Sequence, residues 1–401
     1  MTDRYDVIVV GGGPSGSTAG NLLAKGGARV LVIEREVFPR FHIGESLLPA
    51  NLRVFDRIGY HPEGDEHLRK SGAVFHDEST GREATYLFAE SLSKVADHAY
   101  QVERSTFDLA LLEAAAASGA EVHQGERVTA IDLNGGTRDP RIETDKGAYS
   151  ARYVFDASGL DAFMAYGERT RRRLDIFGLG SIYRHYELAP AIADELAVEG
   201  NIRLLFVEGG WMWAIPLGRG RLSVGLTTRR KGLDAARLEA ELARSEVMSR
   251  ILAGGRPEGP AKTMASFSFV NDRPYGPRWS CLGDAACFLD PMFSSGVNLG
   301  MVGAAHASDV LLPALESGDE GAAELMGGHA QWMKEGCEVF ATLLNAIYQR
   351  RLLPDLFFTR DQDPLLRRGM TSVLAGDVWG EDNPFTEMVQ RSRLRVRLDP
   401  S

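Results

Sequence analysis

The strongest constraint on the fold lies at the start of the chain. Residues 6–10 (DVIVV) form a continuous β-branched run, as expected of a strand covered on both faces of a parallel sheet. Gly11-Gly12-Gly13-Pro14-Ser15-Gly16 follows, then a helical stretch to Lys25 with Ala19, Leu22 and Leu23 on one face. Gly26-Gly27 ends that helix, and residues 29–34 (RVLVIE) read as a second buried strand. In such a βαβ unit Gly11 permits the tight turn, Gly13 lets a pyrophosphate approach the backbone, and Gly16 lets helix and strand pack closely. Pro14 and Ser15 sit in the first helical turn, whose free N–H groups and partial positive charge attract phosphate. Glu34 ends the second strand, followed by Arg35; a carboxylate there accepts ribose hydroxyls and repels a 2′-phosphate, which disfavours NADP. The unit predicts an adenine dinucleotide site.

Beyond it the periodicity changes. Short alternating runs between 70 and 101 predict antiparallel strands, 107–117 a helix, 121–128 a strand, and 153–156 (YVFD) a buried strand ending in Ala157-Ser158-Gly159. Strand-like runs recur from 175 to 229, followed by a helix over 234–252 and a strand over 263–270. Residues 279–283 return to a buried strand, 296–312 to a helix, and the chain after Gly321 reads as helical. The expected fold is α/β: a Rossmann-like dinucleotide domain, an inserted antiparallel-sheet substrate domain and a helical C-terminal segment. The expected boundaries are 1–75 with 102–175 and 263–320 for the first, 76–101 with 176–262 for the second, and 321–401 for the third.

Composition excludes several classes. A net charge of −10 disfavours nucleic acid, whose phosphates require an excess of Lys and Arg. No run of 18 uncharged apolar residues is present, so no membrane span is expected. Cys281, Cys287 and Cys337 show no metal-ligand spacing and suit a reducing compartment. The opening MTDRYDVIVV is charged and strand-like rather than a signal peptide, which predicts a cytoplasmic protein.

Four further elements carry chemistry. Gly283-Asp284 follows a buried strand and precedes a long helix, and an acid there can hold the ribityl chain of a flavin. Together with Gly11/Gly13/Gly16, Asp156-Ala157-Ser158-Gly159 and Arg104 (in VERSTFD), it resembles the para-hydroxybenzoate hydroxylase-like flavoproteins over nearly the whole chain. That resemblance implies bound FAD, with Arg104 near the pyrophosphate. Trp211-Met212-Trp213-Ala214-Ile215-Pro216 resembles the W-x-W-x-I-P element of flavin-dependent halogenases; Trp211, Trp213 and Ile215 fall on one strand face and would bar substrate from the flavin. Phe288-x-x-Pro291-x-x-Ser294-x-Gly296 resembles that branch's F-x-x-P-x-x-S-x-G element. Ser294, Ser295 and Gly296 open a helix there, with Val297 next, so their N–H groups suit a halide, while a plain helix cap would explain the same serines. Gly44-Glu45-Ser46-Leu47 and Lys70 complete the set in family order, and lysine is scarce here, seven against thirty-eight arginines.

The resemblance to the flavin-dependent halogenases, closest to the type acting on carrier-tethered pyrroles and phenols, implies a reaction. Reduced FAD from a separate flavin reductase uses oxygen to convert chloride or bromide at Ser294–Gly296 to hypohalous acid. Lys70 then presents the halogen to an electron-rich aromatic, either a small molecule or an aryl-acyl carrier protein. An ammonium can hold hypohalous acid by hydrogen bonds, and a desolvated neutral amine can form a haloamine; the sequence leaves both open. Glu45, Ser46, Gly159, Pro291 and Val297 join the expected cofactor contacts. Arg350-Arg351 and Arg367-Arg368 are candidate carrier contacts. The alternatives are a monooxygenase or geranylgeranyl-reductase-like enzyme of the same fold, and a non-catalytic flavin-binding protein.

Overall fold

The computed structural model describes residues 3–399 apart from 63, 65–66, 179, 231, 266–267, 350–356 and 360–361. The opening unit is as expected: strand Asp3–Val10, helix Pro14–Lys25 and strand Val30–Glu34, the strands pairing in parallel from Val7↔Val30 to Val10↔Ile33. Val7, Ile8 and Val9 are fully buried because helices cover one sheet face and the 128–144 hairpin with the short helix Phe163–Gly167 covers the other. Strand Ala148–Asp156 pairs in parallel on the far side of Asp3–Val10, and Trp279–Cys281 adds next to it. This eight-stranded sheet thus gathers strands from three distant stretches of chain.

A second, seven-stranded sheet holds Gly180–Glu187, Ile202–Val207, Gly210–Leu217, Arg221–Thr228 and Arg256–Ala265, with Gly72–Asp77 and Arg82–Leu87 at one edge. Its pairings are antiparallel except one: Gly72–Asp77 runs parallel to Ile202–Val207. Strand Gly72–Asp77 therefore straddles residue 75, and Arg256–Ala265 extends this sheet past residue 262. Both differences have one cause, since strand partners from afar in sequence leave no local mark on either strand. Strand His67–Lys70 sits apart, paired among the described residues with Ala99–Val102 alone.

The helical reading also sharpens. The stretch 234–252 breaks into Ala235–Arg244 and Glu246–Ile251, because Ser245 leaves the helix and its hydroxyl caps Met248 N–H at 3.0 Å. Helix Ser295–Ser317 runs through Pro313 rather than stopping before it. Helices Gly327–Tyr348, Pro364–Leu374 and Pro384–Arg391 close one side of the second sheet, and their apolar faces merge with the Trp211/Trp213 face in one core. Among the described residues no helix is long and apolar enough to cross a membrane.

Gly225 shows how the sheet makes room for its aromatic face. It lies opposite Trp213 in the strand pair, and a Cβ there would stand 2.2 Å from the indole. Gly225→Ala must displace Trp213, and overpacking of this kind costs about 1–3 kcal/mol. A lowered Tm with a shift in tryptophan emission is expected; an unchanged Tm would show that the ring has space to move.

Candidate active site

A cleft of about 500 Å³ opens where the two sheets meet. Gly11, Gly13, Pro14 and Ser15 form one end of it, with Glu34, Arg35 and Gly159 beside them. Gly11 holds φ +107°, and a Cβ there would lie 2.4 Å from Ala157 O. Gly16 lies below the cleft, where a Cβ would fall 1.9 Å from Gly11 O, so its role is the close helix–strand contact. Glu34 accepts Gly12 N–H at 2.7 Å and Glu36 N–H at 2.9 Å, fixing the glycine turn to the second strand. Arg35 pairs with Asp161 at the rim.

Three further expected residues build the inner side of the cleft, with Asp284 and Arg104 lining it and Asp156 standing behind. Asp156 is buried and accepts Ser158 N–H at 3.0 Å and Met164 N–H at 2.8 Å, so its carboxylate shapes the Ala157–Gly159 turn rather than facing the cavity. Burial pushes its pKa up. Gly283 packs on the Ser15 side chain, which brings Asp284 to the cleft floor. Arg104 clamps Asp108 with Nε and Nη2 (2.7 and 2.9 Å) and donates Nη1 to Ile43 O at 2.9 Å, pinning segment 40–47 to helix Arg104–Ala117.

At the other end, Pro291, Ser294, Ser295, Gly296 and Val297 line the cleft. Ser294 caps no N–H with its side chain; it takes φ +55° and spends its own N–H on Pro291 O at 3.2 Å. The anion-facing donors therefore reduce to Ser295 and Gly296, at the start of a 23-residue helix. Opposite them Trp211, Trp213 and Ile215 share one face, as the two-residue period requires, with the indole centroids 5.5 Å apart. Pro216 is buried on the reverse face. Trp211 Nε1–H donates to Tyr348 Oη at 3.1 Å, and Tyr348 donates to Asp290 Oδ2 at 2.8 Å, which ties the aromatic wall to the loop carrying Ser294–Gly296.

Lys70 stands just behind the cleft wall. It is 1% exposed, and Nζ donates to Ser46 Oγ at 2.9 Å and to Leu47 O at 3.0 Å, with the Phe88 ring 5.3 Å away. Ser46 itself lines the cleft, so its hydroxyl connects cavity and amine. No carboxylate among the described residues lies within salt-bridge distance of Lys70, and burial alone pushes its pKa down to about 7.

Sequence reasoning missed Arg40, which lines the cleft with Nη2 nearest the position a Gly13 Cβ would take, at 3.7 Å, and Nη1 3.2 Å from Asp108. Its only sequence signal is its place four residues before Gly44-Glu45-Ser46-Leu47. It also missed the Asp290–Tyr348–Trp211 chain, whose members lie far apart in the sequence. Of the carrier-contact candidates, Arg350 and Arg351 lie outside the described residues. Arg367 is engaged internally, donating to Thr85 O at 2.5 Å and lying 4.1 Å over the Tyr86 ring.

Comparison with known proteins decides the family. Residues 4–165 match the FAD binding domain family model. The 1H-pyrrole-2-carbonyl-[peptidyl-carrier protein] chlorinase of Pseudomonas fluorescens is 28% identical, over 100% of this chain and 96% of the relative. Among solved structures, a triple variant of the flavin-dependent brominase Bmp2 superposes with TM-score 0.84 at 25% identity, covering 96% of this chain and 97% of that one. A flavoprotein/dehydrogenase from Cytophaga hutchinsonii gives TM-score 0.86 at 27% identity, covering 96% of each chain. The chain belongs to the flavin-dependent halogenases.

The halogenase binds FAD, and the residues present fit that group. Asp284 lies on the cleft floor with no hydrogen-bond partner among the described residues, and burial raises its pKa to about 6, opposed by Arg104. A carboxylate left this way requires donors such as the ribityl hydroxyls. A Gly13 Cβ would meet nothing nearer than Arg40, so the space above this glycine is open to a pyrophosphate rather than filled by protein.

Two measurements follow. Crystals of the halogenase grown in bromide should show anomalous density at the Ser295 and Gly296 N–H groups; density confined to surface arginines would remove the halide site from that helix start. The charge on Lys70 costs stability in full below pH 7, and the cost is relieved as pH rises from about 7 towards the ordinary 10.5, because the unfolded chain keeps its proton there and the fold does not. Lys70→Met should therefore raise stability by a few kcal/mol at pH 6, with a gain that fades across that window in denaturant titrations. A pH-independent difference would mean the amine is not desolvated.

Proposed function

We propose that this halogenase delivers chlorine or bromine to an electron-rich aromatic through Lys70 Nζ. The observation that carries the reading is a buried amine with no counter-ion among the described residues, held by Ser46 Oγ at the cleft wall. When bound, reduced FAD supplied by a separate flavin reductase activates oxygen so that halide is converted to hypohalous acid. The start of helix Ser295–Ser317 offers its free N–H groups to the halide, and the loop is braced by Asp290 and Tyr348. Trp211 and Trp213 wall one side of the cleft, and in this reading they keep the ring away from the cofactor.

Lys70 then meets a small neutral electrophile. With its pKa lowered to about 7, a large share of the amine is unprotonated near neutral pH. Its lone pair attacks the halogen, the N–X bond forms as O–X breaks, and hydroxide leaves as water with the amine proton. The aromatic ring takes the halogen from nitrogen, and the proton the ring loses replaces the one the amine gave up, which regenerates the free amine. A hydrogen-bonded ammonium–hypohalous acid pair would use the same position. A hydroxylase or reductase would have no use for this lysine, whose burial is costly.

The substrate class we favour is a pyrrolyl or phenolic ring, carried as a thioester on a carrier protein. Support comes from likeness along the full chain to an enzyme whose name specifies a pyrrole-carrier substrate. A panel of free phenols, indoles and carrier-bound pyrroles, with flavin reductase, NADH and halide, tests it by mass spectrometry. Lys70→Ala should lose halogenated product by a factor of at least about 10² while retaining FAD and oxygen consumption. Equal product from the variant would remove Lys70 from the mechanism.

A further inference from the structure

One buried acid in the cleft is left half-used. Glu45 is 1% exposed and lines the cleft beside Ser46. Its Oε1 accepts His185 Nε2–H at 2.7 Å. The tautomer follows from the other ring nitrogen: Arg221 Nη2–H donates to His185 Nδ1 at 3.0 Å, so the ring proton sits on Nε2. Arg221 is in turn held by Glu258 at 2.7 Å and Glu103 at 2.6 Å. This chain fixes the Glu45 carboxylate and spends one oxygen. Oε2 is buried with no partner among the described residues. A carboxylate oxygen in that state calls for a donor from outside the chain.

We propose that Glu45 Oε2 is the docking point for neutral hypohalous acid on its way from the halide loop to Lys70. The inference rests on the halogenase reading above. The acid's O–H donates to Oε2, which leaves its halogen free to be presented to the amine. The next residue, Ser46, holds that amine through Oγ. The cleft lining includes Tyr183, Trp213 and Ile215, which offer a neutral molecule passage, and Arg104, whose guanidinium stands at the preceding Gly44. The Glu45 carboxylate repels halide and hypohalite, so the site favours the uncharged acid over either anion. His185 and Arg221 are positioning residues, since they act through Glu45.

The test measures where the oxidant goes rather than the rate alone. FAD-loaded parent, Glu45→Gln and His185→Phe are run with flavin reductase, NADH and bromide, on whichever ring of the panel the parent converts. Free methionine in solution traps escaped hypohalous acid as its sulfoxide. In both variants the ratio of trapped sulfoxide to halogenated ring should rise several-fold over the parent, the larger rise in Glu45→Gln. His185→Phe leaves the cleft lining intact and carries the test if Glu45→Gln does not retain flavin, as read from the absorbance of the purified enzyme. An unchanged ratio in His185→Phe, or in a flavin-loaded Glu45→Gln, overturns the docking role and leaves Glu45 as a cofactor contact. A parent that yields neither halogenated ring nor sulfoxide overturns the halogenase reading itself, and this proposal with it.

Discussion

The burial of one lysine without a carboxylate sets the terms for the rest of the site. An ammonium taken out of water is stable only where acceptors and dipoles replace its hydration, and Lys70 receives two oxygens, from Ser46 and Leu47, and one aromatic face. The shortfall is expressed as a pKa near 7. An amine of that kind is both nucleophilic and able to donate at neutral pH, which an exposed lysine is not. The strand His67–Lys70 carries the amine, with Lys70 opposite Ala99 in its pairing with Ala99–Val102.

Segment 40–47 links this amine to the cofactor half of the cleft. Arg104 and Asp108 pin it from the helix side, through Ile43 O, and Arg40 reaches from it towards the glycine turn. Glu45 and Ser46 face different partners from adjacent positions, His185 on the second sheet and Lys70 behind the wall. Any displacement of the segment would thus be felt at the dinucleotide end and at the lysine together. The opposite wall is similarly joined, with Trp211, Tyr348 and Asp290 connecting sheet, C-terminal helix and the loop before Ser294 in one hydrogen-bonded chain. Tight packing of this sort gives a cleft fixed shape, which confinement of a reactive small oxidant requires.

Much of this was legible in the residues, for reasons that differ by element. The βαβ unit and its glycines could be read because their constraints are local: a turn, a helix start and a two-sided strand each leave a mark within a few positions. Trp211, Trp213 and Ile215 sharing a face follows from strand period alone. Asp156 shows the limit of motif reading, because its place beside the turn was visible but its orientation, away from the cavity and onto two backbone N–H groups, was not. Ser294 is similar: the loop was identified, yet its αL backbone and the loss of its N–H to Pro291 appear only in three dimensions.

By itself the sequence determined the dinucleotide half and the order of the motifs along the chain, since each depends on residue type and short spacing. Tertiary structure alone decided that Lys70 is desolvated, that Gly72–Asp77 joins the second sheet in parallel, and that Glu45, His185 and Arg221 form one network across 177 positions of chain from first to last. The physical reason is range. Hydrogen bonds and backbone sterics between near neighbours are written into local composition, whereas burial and electrostatic environment are properties of everything that packs around a group.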